Sequence, residues 1–324
     1  MSSIAGETQE HFRTCQKRLG GRGKLGISAL LWSPGGERLD QMGFNEDDRF
    51  PMASIVKVPL CMLIASEVAD GALSLAEEIA IDSASASPGM VGNPLDQLYF
   101  LPFDRARTLT IRQLMEFMIR HSDNTAADAM LHRLGGICTL RNFLRGLQIE
   151  EISVQRTMHE LLAYYYGFPP RQARSFVSIL STASRLLHAF RCKADREEHL
   201  VRTREDTCTP RAMAHLLNIL TMNPKYALVY SEMQRCATND RRITEGLKEY
   251  LDLVESFGHK TGTVGAIAND VGIIQFKNGC TAALAVMTCY STARMPVRDQ
   301  QIALATRAVV HQWKTAQLLE QEAN

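Results

Sequence analysis

Three short motifs carry residues whose types and spacing suit acyl-transfer chemistry. Ser54 and Lys57 stand three residues apart in Ser54-Ile55-Val56-Lys57. A serine hydroxyl is a weak nucleophile until a neighbouring base takes its proton. If Ser54 opens a helix, both side chains lie on one face and can touch, and the helix N-terminus favours negative charge developing near Ser54. The second motif is Ser122-Asp123-Asn124. A hydroxyl there can pass a proton to a departing nitrogen, a carboxamide can both donate to and accept from a substrate amide, and Asp123 caps or orients the loop. The third is Lys260-Thr261-Gly262-Thr263. Lys260 supplies positive charge, Thr261 and Thr263 can bind a carboxylate, and Gly262 lets a substrate approach the backbone. The N–H groups of Thr263 and Ser54 are candidates for an oxyanion hole. Singly, each motif also reads as ordinary structure: a capped helix with a surface lysine, a polar turn, an edge strand with a glycine.

The elements that must position these residues are legible from periodicity. Phe12, Cys15 and Leu19 have helical spacing within residues 8–19, and Gly20-Gly21 stops that helix. Leu25 to Trp32 is an apolar run, Ser33-Pro34-Gly35-Gly36 a turn, and Glu37 to Met42 a returning strand. Ile111, Leu114, Met115, Met118 and Ile119 share one helical face. Thr209-Pro210 opens a further helix as N-cap and first turn. Val271 to Phe276 and Thr281 to Tyr290 flank the turn Lys277-Asn278-Gly279. A last helix places Ile302, Ala305, Val309, Trp313 and Ala316 together. Strands at both ends and helices between them predict an α/β (α+β) chain, with an antiparallel sheet faced by the terminal helices and a separate all-helical part.

Taken in this order, the motifs are the S-x-x-K, S-D-N and K-T-G set of penicillin-interactive serine enzymes, and the chain resembles the class A β-lactamases. The resemblance runs from about residue 10 to the end, through segments such as RFPMASIVKVPL, LTIRQLMEFMIRHSDNTAADAMLHRLGG and HKTGTVGAIANDVGII. It implies a two-lobed fold, with residues 1–44 and 243–324 forming an α/β lobe, 45–242 an all-helical lobe, and the site between them. It also implies roles. Ser54 attacks the carbonyl and Lys57 helps take its proton. Ser122 and Lys260 relay a proton to the leaving nitrogen, Asn124 holds a substrate carbonyl, and Thr261 and Thr263 meet the substrate carboxylate.

The family deacylates with a glutamate that positions a water. The matching residue here is Glu160, in Arg156-Thr157-Met158-His159-Glu160-Leu161-Leu162, but Tyr164 stands where the water-holding asparagine is expected. Glu160 is therefore either that base or an ordinary helix-surface carboxylate. His159-Glu160 does not extend to H-E-x-x-H, so no zinc site is expected. Arg242 lies where some class A enzymes place an arginine supporting the carboxylate site; Ala268 fills the alternative position. Cys61 matches one half of a family disulfide, but Met115 fills the other half, and Ala53 precedes the serine where some relatives carry a cysteine. Free thiols are expected. Tyr164 to Cys208, with Pro169-Pro170, is longer than the family needs. Tyr164, Tyr165 and Tyr166 either line a pocket or simply pack.

Composition sets the outer bounds. The 324 residues are 45% hydrophobic and 22% charged with a formal net charge of +1, so no strong field points to nucleic acid or an anionic membrane. The run Val58 to Ala65 is too short to span a bilayer. No dinucleotide or phosphate-loop fingerprint is present, and no cofactor or metal is expected. No secretory leader is legible, so the expected compartment is the cytoplasm, or the periplasm or exterior if a leader has been removed. A monomer with a small-molecule partner is expected. The functional expectation is a serine hydrolase acting through an acyl-enzyme at Ser54, first as a β-lactamase. The alternatives are an esterase, amidase or D-amino-acid peptidase on the same scaffold, and a penicillin-binding sensor that does not turn over.

Overall fold

A computed structural model describes residues 2–82, 85–88, 95, 106–166 and 193–319. Helix α1 (Ser2–Arg18) seats Phe12 and Cys15 in the core, with Leu19 just beyond its end. Strand β1 (Gly21–Trp32) begins four residues before the apolar run, because Gly21 to Lys24 are exposed or half-buried and carry no apolar signal. It pairs with β2 (Arg38–Phe44) on one side and β9 (Thr281–Ser291) on the other. β9 pairs with β8 (Ile267–Phe276), and β8 with β7 (Val254–Val264). The order β2-β1-β9-β8-β7 makes a five-stranded antiparallel sheet with β7 at one edge.

Both faces of the sheet are covered, which explains why its central strands read as continuous apolar runs rather than alternating ones. Leu25, Ile27, Ala29, Leu31, Leu284 and Val286 pack with α1 and α11 (Met295–Thr315), where Ile302, Ala305, Val309 and Trp313 meet them. Ala316 is the C-cap of α11 rather than part of its apolar face. On the other face, Leu30, Val271, Ile273, Ala283, Ala285 and Met287 join the core of the remaining helices.

At the centre of that core is α2 (Lys57–Ala69), buried continuously from Lys57 to Ser66. The apolar run after Lys57 is thus an enclosed core helix; among the described residues no helix is long and apolar enough to cross a membrane. Around it lie α3 (Ile111–Arg120), α4 (Asn124–Arg133), α5 (Ile137–Gly146), α6 (Met158–Tyr166), α7 (Lys193–Thr203), α8 (Pro210–Met222), α9 (Ala227–Gln234) and the short α10 (Ile243–Leu247). The predicted face of α3 is fully buried at Ile111, Leu114, Met115, Met118 and Ile119. Each such side chain contributes about 1.5–3 kcal/mol of burial. Thr110 and Gln113 form a reciprocal capping box at its start, and Thr209 caps α8 as expected.

Two small antiparallel pairs complete the frame: β3 (Phe50–Pro51) with β6 (Thr207–Cys208), and β4 (Glu78–Ile81) with β5 (Arg107–Thr110). The long stretch from Tyr164 to Cys208 ends in α7 and β6, while its residues 167–192, including Pro169-Pro170, lie outside the described residues. Tyr165 is buried in the core, Tyr166 accepts a hydrogen bond from the Gly265 N–H, and Tyr164 packs beneath the guanidinium groups of Arg156 and Arg196. This supports packing rather than pocket lining for the tyrosine run.

Candidate active site

Ser54 sits on a single 3-10 turn, Ala53–Val56, that leads directly into α2 at Lys57. The chain enters this turn from β3, held by the Met52 N–H donating to the Asp206 carbonyl at 2.9 Å. Ala53 has φ 49° and Ser122 has φ 58°. Non-glycine residues adopt this left-handed region at a cost of order 1–3 kcal/mol, and surrounding contacts must hold them there. Asn269 of β8 provides such contacts: its Nδ2 donates to Pro51 O at 2.9 Å and Met52 O at 3.0 Å. The nucleophile turn is therefore tied to the sheet through a side chain that the motifs do not include.

Lys57 is fully buried and is the hub of the site. Its Nζ lies 2.6 Å from Asn124 Oδ1, 2.6 Å from Ser122 O, 3.3 Å from Ser54 Oγ and 3.4 Å from Ser122 Oγ. The carbonyl oxygens of Asn124 and Ser122 only accept, so two N–H bonds are committed to them. Burial, reinforced by the positive charge of Lys260, holds the Lys57 pKa well below its ordinary value. With two hydrogens on those carbonyls, the hydroxyls of Ser54 and Ser122 are the other polar groups within reach of Nζ.

Asp123 caps α4 as expected: Oδ1 accepts from the Ala126 N–H at 2.9 Å and Oδ2 from the Leu95 N–H at 3.0 Å. This fixes the turn that carries Ser122. Asn124 donates from Nδ2 to Pro88 O at 2.7 Å while its oxygen faces Lys57. One Asn124 hydrogen remains for a substrate carbonyl, and holding Lys57 is a duty the motif alone did not reveal.

Strand β7 forms the opposite wall. Lys260 is fully buried, and its Nζ donates to Ser122 Oγ at 2.9 Å and to Thr261 O at 2.8 Å. Burial lowers its pKa to about 8, against the opposing pull of Cys236 and Asp270. Because Lys260 donates to Ser122 Oγ, the Ser122 hydroxyl hydrogen is free to point elsewhere. A Cβ on Gly262 would lie 2.6 Å from Met52 O and 3.2 Å from Ile55 N, so β7 abuts the Ser54 turn only because residue 262 is glycine. Thr261 Oγ1 lies 2.6 Å from Thr238 Oγ1.

Arg242 is fully buried behind β7. Its Nη2 donates to Thr263 Oγ1 at 2.8 Å, Nη1 to Asn269 O at 2.7 Å and Gly262 O at 3.3 Å, and Nε to Asp299 Oδ1 at 2.7 Å. It is a buried, fully engaged residue and not a surface arginine. With Thr263 Oγ1 accepting from Arg242, the Thr263 hydroxyl is left to donate toward the cleft.

Among the described residues, Glu160 makes no hydrogen bond into this network. It is exposed; its Oε2 accepts from the Thr157 N–H at 2.8 Å, and its own N–H donates to Thr157 Oγ1 at 3.2 Å. That is a capping box at the start of α6. The charges acting on Lys57 include those of Lys260, Asp123 and Asp128. Ser54, Lys57, Ser122, Asn124, Lys260, Thr261, Gly262, Thr263 and Arg242 thus converge, and among the described residues the Glu160 carboxylate is bonded to Thr157 rather than to them. The cysteines described are free thiols, Cys61 among them. Sequence reading missed Thr238, Asn269 and Asp299, for which the chain carries no local signal.

The chain matches the beta-lactamase enzyme family over residues 21–313. It is 25% identical to Beta-lactamase VEB-1 of Pseudomonas aeruginosa, across 81% of this chain and 78% of that protein. It is 24% identical to Extended-spectrum beta-lactamase PER-1 of the same organism, across 81% and 74%. Among solved structures, the class A beta-lactamase of the last common ancestor of Gram-negative bacteria superposes with a TM-score of 0.70 at 26% identity, covering 94% of this chain and 98% of that one.

Proposed function

The chain belongs to the beta-lactamase enzyme family and has the class A fold, and on that premise we propose that it is a serine hydrolase that opens β-lactam amides through an acyl-enzyme at Ser54. The observation that carries the proposal is the hydrogen-bond geometry of Lys57. A buried amine of lowered pKa, with two hydrogens tied to carbonyl oxygens, lies 3.3 Å from Ser54 Oγ, within reach to take its proton.

Lys57 accepts the Ser54 proton as Oγ attacks the lactam carbonyl. The carbonyl oxygen is received by the N–H groups of Ser54 and Thr263, which belong to the turn and the strand that Gly262 lets abut. The C–N bond then breaks. Ser122 gives its hydroxyl proton to the departing nitrogen and regains one from the Lys57 ammonium at 3.4 Å, while Lys260 donates to Ser122 Oγ at 2.9 Å and steadies the transient negative charge. Thr261, Thr263 and Lys260 receive the substrate carboxylate, with Arg242 fixing Thr263 from behind.

Release is the slower half. With the Glu160 carboxylate engaged at the helix start, the base left for the hydrolytic water is Lys57, which is neutral again once its proton has moved on. Acyl-enzyme therefore accumulates during turnover, a behaviour shared with the penicillin-binding sensor reading. Stopped-flow hydrolysis of a chromogenic cephalosporin tests this: a burst of one equivalent followed by a slower steady rate supports it. Linear turnover without a burst removes the slow-release part, and turnover surviving Ser54→Ala removes the whole proposal.

A further inference from the structure

Beside the Lys260 wall lies a second constellation that the acyl-transfer steps do not use. Asp270 of β8, fully buried, accepts from the Ile243 N–H at 3.1 Å and holds His259 Nδ1 at 2.9 Å. His259 of β7 is buried, stacked on Phe257 with ring centroids 5.0 Å apart, and hydrogen-bonds Cys236. Cys236 follows α9 and is partly exposed. Against the effect of burial, Asp270 raises the His259 pKa to about 10, so the ring carries a positive charge that favours the Cys236 thiolate beside it.

The thiol is also wired into both walls of the cleft. Its Sγ lies 3.2 Å from Thr238 Oγ1, which in turn lies 2.6 Å from Thr261 Oγ1. The next residue, Ala237, donates its N–H to Arg120 O at 3.0 Å, at the end of the helix that precedes Ser122. A group attached to Cys236 Sγ is seated directly beside the Thr238–Thr261 contact.

We propose that Cys236 is a thiol-modification site that shuts the acyl-enzyme cleft when it exchanges with a low-molecular-weight disulfide. The thiolate attacks one sulfur of R–S–S–R, the S–S bond breaks, and the products are the Cys236 mixed disulfide and R–S⁻, which takes a proton from solvent. A free thiol reverses the exchange. The adduct removes a negative charge that favours protonated Lys260 and displaces Thr238 from Thr261. The closing of the cleft rests on the proposed acylation at Ser54, whereas the reactivity of Cys236 does not.

The charged groups acting on Cys236 are His259 and Lys260 on β7, with Asp270 on β8 bonded to His259. Burial pushes the thiol up, but the His259 hydrogen bond, with the charges of His259 and Lys260, brings it down to about 7. At pH 7 about half is then thiolate, against roughly 3% for an ordinary thiol. A roughly fivefold lower intrinsic nucleophilicity offsets part of this, leaving an advantage of about threefold. The full chain is treated with oxidised glutathione, and peptide mapping follows Cys236 against the exposed Cys138. Cys236 is expected to react about threefold faster at pH 7, with a rate that levels off above about pH 8 while that of Cys138 keeps rising. His259→Gln, checked for folding by circular dichroism, is expected to remove both features. Modified protein is expected to lose fluorescent-penicillin uptake at Ser54 and to regain it with dithiothreitol, and Cys236→Ser to be indifferent to oxidised glutathione. Cys236 reacting no faster than Cys138, or with the same pH profile, overturns the site. Unchanged penicillin uptake by the mixed disulfide overturns the control. A protein that never takes up penicillin overturns the acylation proposal and the control with it, while the peptide map still decides the thiol.

Discussion

Replacing Glu160 by Gln separates two readings of one carboxylate. In the structure Glu160 closes a capping box with Thr157, through bonds of 2.8 and 3.2 Å at an exposed helix start. Gln retains an acceptor for the Thr157 N–H and loses only the favourable charge at the helix N-terminus, about 0.3–1 kcal/mol. Ala loses the acceptor too, about 0.5–1 kcal/mol in all. If the carboxylate instead activates the hydrolytic water, its loss lowers deacylation by about 10²–10⁴-fold, the range for a positioned general base. The assay is single-turnover decay of the acyl-enzyme, with a urea midpoint measured on the same variant. Glu160→Gln is expected to change the decay by less than about threefold, well below the general-base range. An adduct that persists a hundredfold longer refutes the reasoning and means that Glu160 leaves Thr157 and reaches Ser54 during release.

Three further expectations follow from the same contacts. Arg242→Ala strands the buried Asp299 carboxylate and is expected to cost about 3–5 kcal/mol of stability, measured by denaturant unfolding; a loss under about 1 kcal/mol contradicts the buried-pair reading. Gly262→Ala puts a methyl 2.6 Å from Met52 O and is expected to abolish acylation while the protein stays folded; an unchanged acylation rate means that β7 does not need to abut the Ser54 turn. Lys260 must be protonated to receive a carboxylate, and its pKa is lowered to about 8 by burial. Second-order acylation should therefore fall as pH rises through about 8; a rate flat to pH 10 removes Lys260 from the substrate site.

The candidate site residues that the sequence names and the fold brings together are those whose chemistry is contiguous. Ser54 with Lys57, the Ser122–Asn124 turn and the Lys260–Thr263 strand each keep their residues within one turn or strand, so the letters carry the geometry. Their supports do not. Arg242 finds Asp299 57 positions away, Thr238 finds Thr261 23 positions away, and Asn269 reaches Pro51 across 218 positions; only the packed sheet brings these together. Sheet strands were legible as apolar runs where both faces are covered, but β1 extends four residues beyond its run because exposed residues can pair in a ladder without an apolar signature. Glu160 illustrates the opposite difficulty. Thr157-x-x-Glu160 is itself a helix-start pattern, and the local capping geometry competes with the family position for the same side chain.

The nucleophile can be tested by intact-mass spectrometry of the full chain after exposure to penicillin, followed by peptide mapping. The expected result is one added penicillin, located on the peptide containing Ser54, decaying on removal of the drug and absent from Ser54→Ala. A folded protein that gains no adduct and turns over no β-lactam, or one whose adduct or turnover survives Ser54→Ala, contradicts acyl transfer at Ser54.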